Sequence, residues 1–105
     1  MSSPSVSWKV VTQYHSAGEM VYELGGGSVS LEVRISSQRV AGERNWHFAA
    51  QLGGSDSVAI SEFAETKANA LQKVAAQWAE RAAELALPVL DWTAIAAALL
   101  AVRAI

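Results

Sequence analysis

The chain contains no cysteine, so disulfide bonds and thiolate metal ligands are excluded. It has only two histidines, His15 and His47, and neither belongs to an HxH or HExxH motif. We therefore predict no metal site and no cofactor.

The chain also has no large excess of positive or negative charge. The 8 basic and 10 acidic residues give a formal net charge of -2, and they are spread over both halves of the chain. The field that draws a protein to phosphate backbones or to anionic lipid is missing, which argues against strong nonspecific binding of nucleic acid.

Membrane and export signals are absent from the sequence as well. The most apolar run, residues 94–102, is far shorter than the roughly 20 residues that cross a bilayer. The start, residues 1–5, does not have the charged and apolar regions of a signal peptide. We expect no membrane contact and a cytoplasmic location.

Catalytic motifs are missing too. No serine stands in a G-x-S-x-G sequence, and Glu19, Glu23 and Glu32 fall where the solvated face of a strand explains them. We assign no catalytic residue, and the sequence favours a protein that is not an enzyme.

What remains is a chain of ordinary globular composition. Its 105 residues, 51% of them hydrophobic, predict one domain over residues 1–105 with a single core.

The first half alternates with the period of β-strands. Val29, Leu31, Val33 and Ile35 alternate strictly with polar residues, as in a strand with one buried face. The same reasoning places Trp8, Val10, Thr12 and Tyr14 on one face of the first strand. We predict a sheet over about residues 6–64, with strands at 6–15, 19–24, 28–36, 46–52 and 58–64. Turns are expected at 16–18, 25–27 and 53–56, and a polar loop at 36–45.

The second half changes to the helical period of about 3.6 residues. Thr66 is a suitable N-cap, and Pro88 ends a helix predicted at about 66–87. A second helix is predicted at about 92–103, capped by Asp91 or Thr93.

These elements predict an α+β fold: an antiparallel meander of about five strands followed by two C-terminal helices, the first packed on one face of the sheet. The predicted core consists of Trp8, Val10, Leu31, Val33, Ile35, Trp46, Phe48, Leu71, Val74 and Trp78.

One group of residues combines cations with aromatic rings, a combination that suits stacking on bases or holding a phosphorylated ligand. We take Arg34, Arg39, Arg44, Trp46 and His47 as the candidate contacts for a ligand or a nucleic acid. The other interpretation is a solvated loop in which Trp46 anchors the sheet.

The C-terminal helix is apolar around most of its circumference, and such a helix is normally enclosed. We predict that Trp92, Ala96, Leu99 and Leu100 join a protein interface, for which a twofold homodimer is the commonest arrangement. The alternative is that the helix packs into its own core and leaves Leu100 exposed.

Three functions remain open. The first is a small noncatalytic binding or protein-interaction module. The second is a nucleic-acid-binding domain that uses Arg34, Arg39, Arg44 and Trp46. The third is a small-ligand enzyme or carrier, which a deep pocket lined by Tyr14, Tyr22 and His47 would favour.

Overall fold

A computed structural model describes residues 7–53 and 58–105 of the chain. Residue 6, where the first strand is predicted to begin, and residues 54–57, which hold most of the turn predicted at 53–56, lie outside the described residues.

The predicted fold class is confirmed. Five strands form one antiparallel sheet in the order of the sequence, and two helices follow it. Their bounds are β1 Trp8–Ser16, β2 Glu19–Gly26, β3 Val29–Val40, β4 Glu43–Leu52, β5 Ile60–Ala64, α1 Lys67–Leu85 and α2 Trp92–Ala101.

Both helices lie against the same face of the sheet. Helix α1 contacts β4 and β5, and α2 contacts β1. We call this the core face, because Leu31, Val33 and Ile35 lie on it and share one cluster with the buried residues of the helices. The opposite face, on which Arg34 lies, is the open face; no described helix packs on it.

The predicted core is buried apart from two residues at its margin. Trp8, Leu31, Val33, Ile35, Phe48, Leu71, Val74 and Trp78 are all buried, whereas Val10 and Trp46 are half-buried and pack against the cluster. Helix α2 adds Ile95 and Leu99, both with no exposed surface. The helices therefore close one core over one face of the sheet.

The polar loop predicted at residues 36–45 is wrong, because β3 and β4 continue through it as paired strands. Two residues, Ala41 and Gly42, join them, and their φ angles of 54° and 83° are those of a type I′ turn. Residues 37–44 are exposed to solvent. Residues 37–44 carry polar side chains on both faces because no core covers either face.

The predicted turn at residues 25–27 is also displaced. Gly25 and Gly26 belong to β2, and only Gly27 enters the turn. Gly26 lies opposite Trp8, and a Cβ on it would overlap the indole ring. This glycine therefore provides space for a core side chain.

The predicted face of β1 holds only for its first part. A bulge lies between Val10 and Thr12, and Val11 is 72% exposed there. Because the extra residue shifts the alternation by one, Tyr14 pairs with Val21 of the open face rather than joining Trp8.

Strand β5 begins two residues later than predicted, at Ile60, and its register with β4 is regular. Ile60 faces the core, and Phe63, at the other parity, lies on the open face.

Helix α1 begins where predicted. The Thr66 hydroxyl accepts from the Asn69 backbone N–H at 3.1 Å. Helix α1 ends at Leu85, before Pro88, because Ala86 takes the left-handed conformation. The Leu87 N–H then bonds to the Ala82 carbonyl at 2.8 Å.

Helix α2 is capped by Asp91, whose carboxylate accepts from the Ala94 N–H at 3.0 Å. It ends at Ala101, two residues before the predicted end. Arg103 is left-handed, and the Ala104 N–H bonds to the Leu99 carbonyl, which together form a Schellman motif. No described helix is long and apolar enough to cross a membrane.

We predict that Val33→Asp costs more than about 3 kcal/mol of unfolding free energy, because it places an unpaired charge in the core. Val33 has no exposed surface. The measurement is urea denaturation, and Val11→Asp is the matched control because Val11 is 72% exposed. Equal stability of the two variants would show that our assignment of the core face is wrong.

Candidate functional site

The end of the β3–β4 hairpin extends beyond the core. We call it the ribbon and define it as residues 37–46. It is a two-stranded extension that the core covers on neither side along residues 37–44. The type I′ turn at Ala41 and Gly42 matches the twist of the strands it joins. An Arg39 guanidinium N–H also donates to the Gly42 carbonyl at 3.3 Å. The ribbon is therefore ordered by backbone pairing rather than by packing.

Two arginines lie directly opposite each other on the ribbon. Arg39 is the cross-strand partner of Arg44, one pair away from the turn. The pair that closes a two-residue turn exchanges backbone hydrogen bonds, so the next pair is the kind whose side chains come closest. Neither guanidinium forms an ion pair with another described residue. Like charges at this spacing are destabilising, and an anion between them would relieve the repulsion.

A third cation lies at the base of the ribbon. Trp46 has the same strand parity as Arg44, so both lie on the same face of β4. The Lys67 ammonium, from the first turn of α1, is 4.5 Å from the centre of the Trp46 ring. This is cation–π geometry. The arrangement gives one side of the hairpin three positive charges and an aromatic surface.

The other two predicted contact residues lie on the open face. The Arg34 guanidinium is 3.2 Å from the Glu32 carboxylate and 3.8 Å from that of Glu19. Its hydrogen bond to Glu32 raises the pKa of Arg34. The His47 ring packs against Phe63, with centroids 4.6 Å apart. The five predicted residues therefore divide into Arg39, Arg44 and Trp46 on one face and Arg34 and His47 on the other.

The open face is acidic on balance. The register puts Glu19, Glu23 and Glu32 on this face, against Lys9 and Arg34. Arg34 is already paired with two of these glutamates. A polyanion approaching this face would meet an excess of negative charge.

The four predicted interface residues of α2 differ in exposure. Trp92 and Ala96 are half-buried, and Trp92 packs edge-on against Trp78 with ring centroids 5.6 Å apart. Leu99 has no exposed surface, so it belongs to the chain's own core rather than to an outward face. Leu100 is 63% exposed.

The Trp78 indole also binds the loop before α2. The Trp78 N–H donates to the Pro88 carbonyl at 2.9 Å. The hydrogen bond and the Trp92 contact together fix the position of α2 over β1.

The three residues expected to line a pocket are divided between the two faces of the sheet. Tyr14 and His47 lie on the open face and Tyr22 on the core face, so the pocket that these three residues were to line does not form. Within residues 7–53 and 58–105, no three histidine, aspartate or glutamate side chains are grouped as metal ligands.

Lys67 is a member of the site that the sequence does not indicate. A lysine in the first turn of a helix is an ordinary surface residue, and its contact with Trp46 spans twenty-one positions. No local pattern in the sequence indicates that contact.

Comparison of the chain with family models, with curated proteins and with solved structures finds no match.

Proposed function

We propose that this protein is a noncatalytic binding module whose ribbon holds an acidic segment of a partner protein. The observation that carries the proposal is the direct pairing of Arg39 with Arg44 on an exposed ribbon. The cytoplasmic location expected from the sequence stays a prediction.

The chemistry of the ribbon fits carboxylates. A guanidinium forms two parallel hydrogen bonds with one carboxylate, and both arginines are free of ion pairs with described residues. Lys67 adds a point charge near Trp46, at the base of the ribbon. Two or three acidic side chains on one extended segment would match this set.

A protein partner is favoured over nucleic acid by the charges outside the ribbon. The whole chain has a net charge of -2, and glutamates predominate on the open face. Binding of nucleic acid depends on neutralising several phosphates along a backbone, for which one arginine pair and one lysine are few.

Nucleic acid is nevertheless the second candidate, for one specific reason. Gln38 lies opposite Asn45, one pair further from the turn than the arginines, so the two faces of the ribbon carry an arginine pair and a carboxamide pair. Arginine and carboxamide side chains are those that read guanine and adenine edges, and a two-stranded ribbon fits the major groove of DNA.

We predict that the double variant Arg39→Glu, Arg44→Glu loses the affinity of the protein for acidic ligands. The probes are a labelled decaglutamate peptide and a labelled 20-base-pair DNA duplex, each titrated at low salt by fluorescence anisotropy. Reversing both charges should weaken binding of the peptide at least tenfold, because attraction becomes repulsion.

The matched control is Lys9→Glu, Arg81→Glu, which changes the net charge equally at positions away from the ribbon. This control should bind the peptide like the parent. Tighter binding of the duplex than of the peptide, again lost in the ribbon variant, would replace the acidic-protein proposal by the nucleic-acid one. Equal weakening in the control and in the ribbon variant would show that only net charge matters.

Self-association through the C-terminal helix is a further proposal about partners. Its support is Leu100, which is 63% exposed, and Val102 after it, which is 38% exposed. Exposed apolar side chains of this size favour a contact that covers them.

We predict that the parent protein sediments as a dimer at micromolar concentration and that Leu100→Glu is monomeric with unchanged stability. Ala83→Glu, at an exposed position of α1, is the control and should remain dimeric. A monomeric parent whose mass and melting temperature do not change in Leu100→Glu would contradict self-association.

A further inference from the structure

The outer edge of β5 borders a groove lined by both polar and apolar side chains. The groove has a volume of about 560 Å³ and lies between β5 and one face of α1. Its walls are formed by Asn45, Phe63, Glu65, Asn69, Gln72 and Lys73. Gln72 and Lys73 follow Asn69 by three and four positions, so both lie beside Asn69 on one face of α1.

Two residues of β5 direct their backbone groups away from β4, toward the outer edge of the sheet. Counting pairs from the turn at Ala41 shows that Trp46, Phe48 and Ala50 direct their backbone groups toward β5. The intervening β5 residues, Ser61 and Phe63, therefore direct theirs to the outer edge. No described strand pairs with that edge.

One of these backbone groups accepts a hydrogen bond from a lysine side chain. The Lys73 ammonium donates to the Phe63 carbonyl at 3.1 Å, which is the position where the N–H of an additional strand would bond. A backbone N–H at this carbonyl would release the ammonium to pair with an acidic side chain of the added strand.

The helical wall has further groups for binding a peptide backbone. The side-chain amides of Asn69 and Gln72 form no hydrogen bond to any described residue, and each can both donate and accept. Such amides suit an extended peptide, in which N–H and carbonyl groups alternate.

The two edges of the sheet differ in their suitability for an added strand. On β1 a bulge at Val11 interrupts the register, and bulges protect edges from pairing. On β5 the register with β4 is regular along all five residues. The β5 edge is therefore the better template.

We infer that the β5 groove binds an extended peptide segment of another protein as a sixth strand, with an acidic side chain of that segment on Lys73. This is strand addition, in which main-chain hydrogen bonds supply affinity and side-chain contacts supply specificity. The site is separate from the arginine pair of the ribbon, so this inference goes beyond the proposed function.

The test uses the full chain, labelled with ¹⁵N, and a blocked heptapeptide of alternating threonine and valine with a central aspartate. Titration to millimolar peptide should shift the backbone amides of Ser61, Phe63 and Gln72, and leave those of Arg39 and Arg44 in place. The same peptide with a central lysine should bind at least fivefold more weakly. Shifts confined to Arg39, Arg44 and the turn between them would support the proposed function instead and overturn this inference.

Two controls separate strand addition from other contacts. The aspartate peptide with alternate amides N-methylated keeps its side chains but loses backbone donors, and it should not bind. Ser61→Pro removes an edge N–H and should weaken the binding of the unmodified peptide at least tenfold, whereas Ser61→Ala should not. Equal binding of the methylated peptide, shifts along β1, or no binding of the aspartate peptide at millimolar concentration would each overturn the inference. The methylated peptide decides the question even where Ser61→Pro does not fold.

Discussion

The helical layer covers only part of the sheet, and this partial cover determines which parts of the sheet are exposed. Two helices of 19 and 10 residues lie over one face of a five-stranded sheet whose longest strand has 12 residues. They bury Leu31, Val33 and Ile35 at the centre of β3 but do not cover its far end. The open face and the ribbon follow from this partial cover, because each is a part of the sheet that the described helices leave accessible. The β5 groove lies between the edge of the sheet and α1.

Much of the fold could be predicted from the sequence because its signal is local. The alternation from Val29 to Ile35 reports a strand with one buried face, and Thr66 and Asp91 report helix starts through their capping chemistry. The ribbon was mistaken for a loop because alternation disappears where both faces are wet. Its turn is built from Ala41 and Gly42, and alanine carries no signal for the left-handed conformation that it adopts there. The bulge at Val11 likewise has no marker, since valine is a common strand residue.

Less of the candidate site could be predicted, because it depends on pairing between distant residues. The sequence grouped Arg34, Arg39, Arg44, Trp46 and His47 as one set of contacts. Strand parity divides this set, because Arg34 and His47 lie on the other face of the sheet. Whether two arginines repel depends on register, and the register of a hairpin depends on its turn. The contact of Lys67 with Trp46 and that of Lys73 with Phe63 both require α1 to lie along β4 and β5. Only the tertiary arrangement determines them.

Residues 37–46 form a paired ribbon in the free protein, and the proposed function requires this pairing. It can be measured by the nuclear Overhauser effect between the Hα protons of Arg39 and Arg44, which lie opposite each other in a pair that does not exchange backbone hydrogen bonds. We expect a strong cross-peak between them, together with extended-strand chemical shifts for Gln38 and Asn45. Absence of that cross-peak, with random-coil shifts from Ser37 to Asn45, would contradict the pairing.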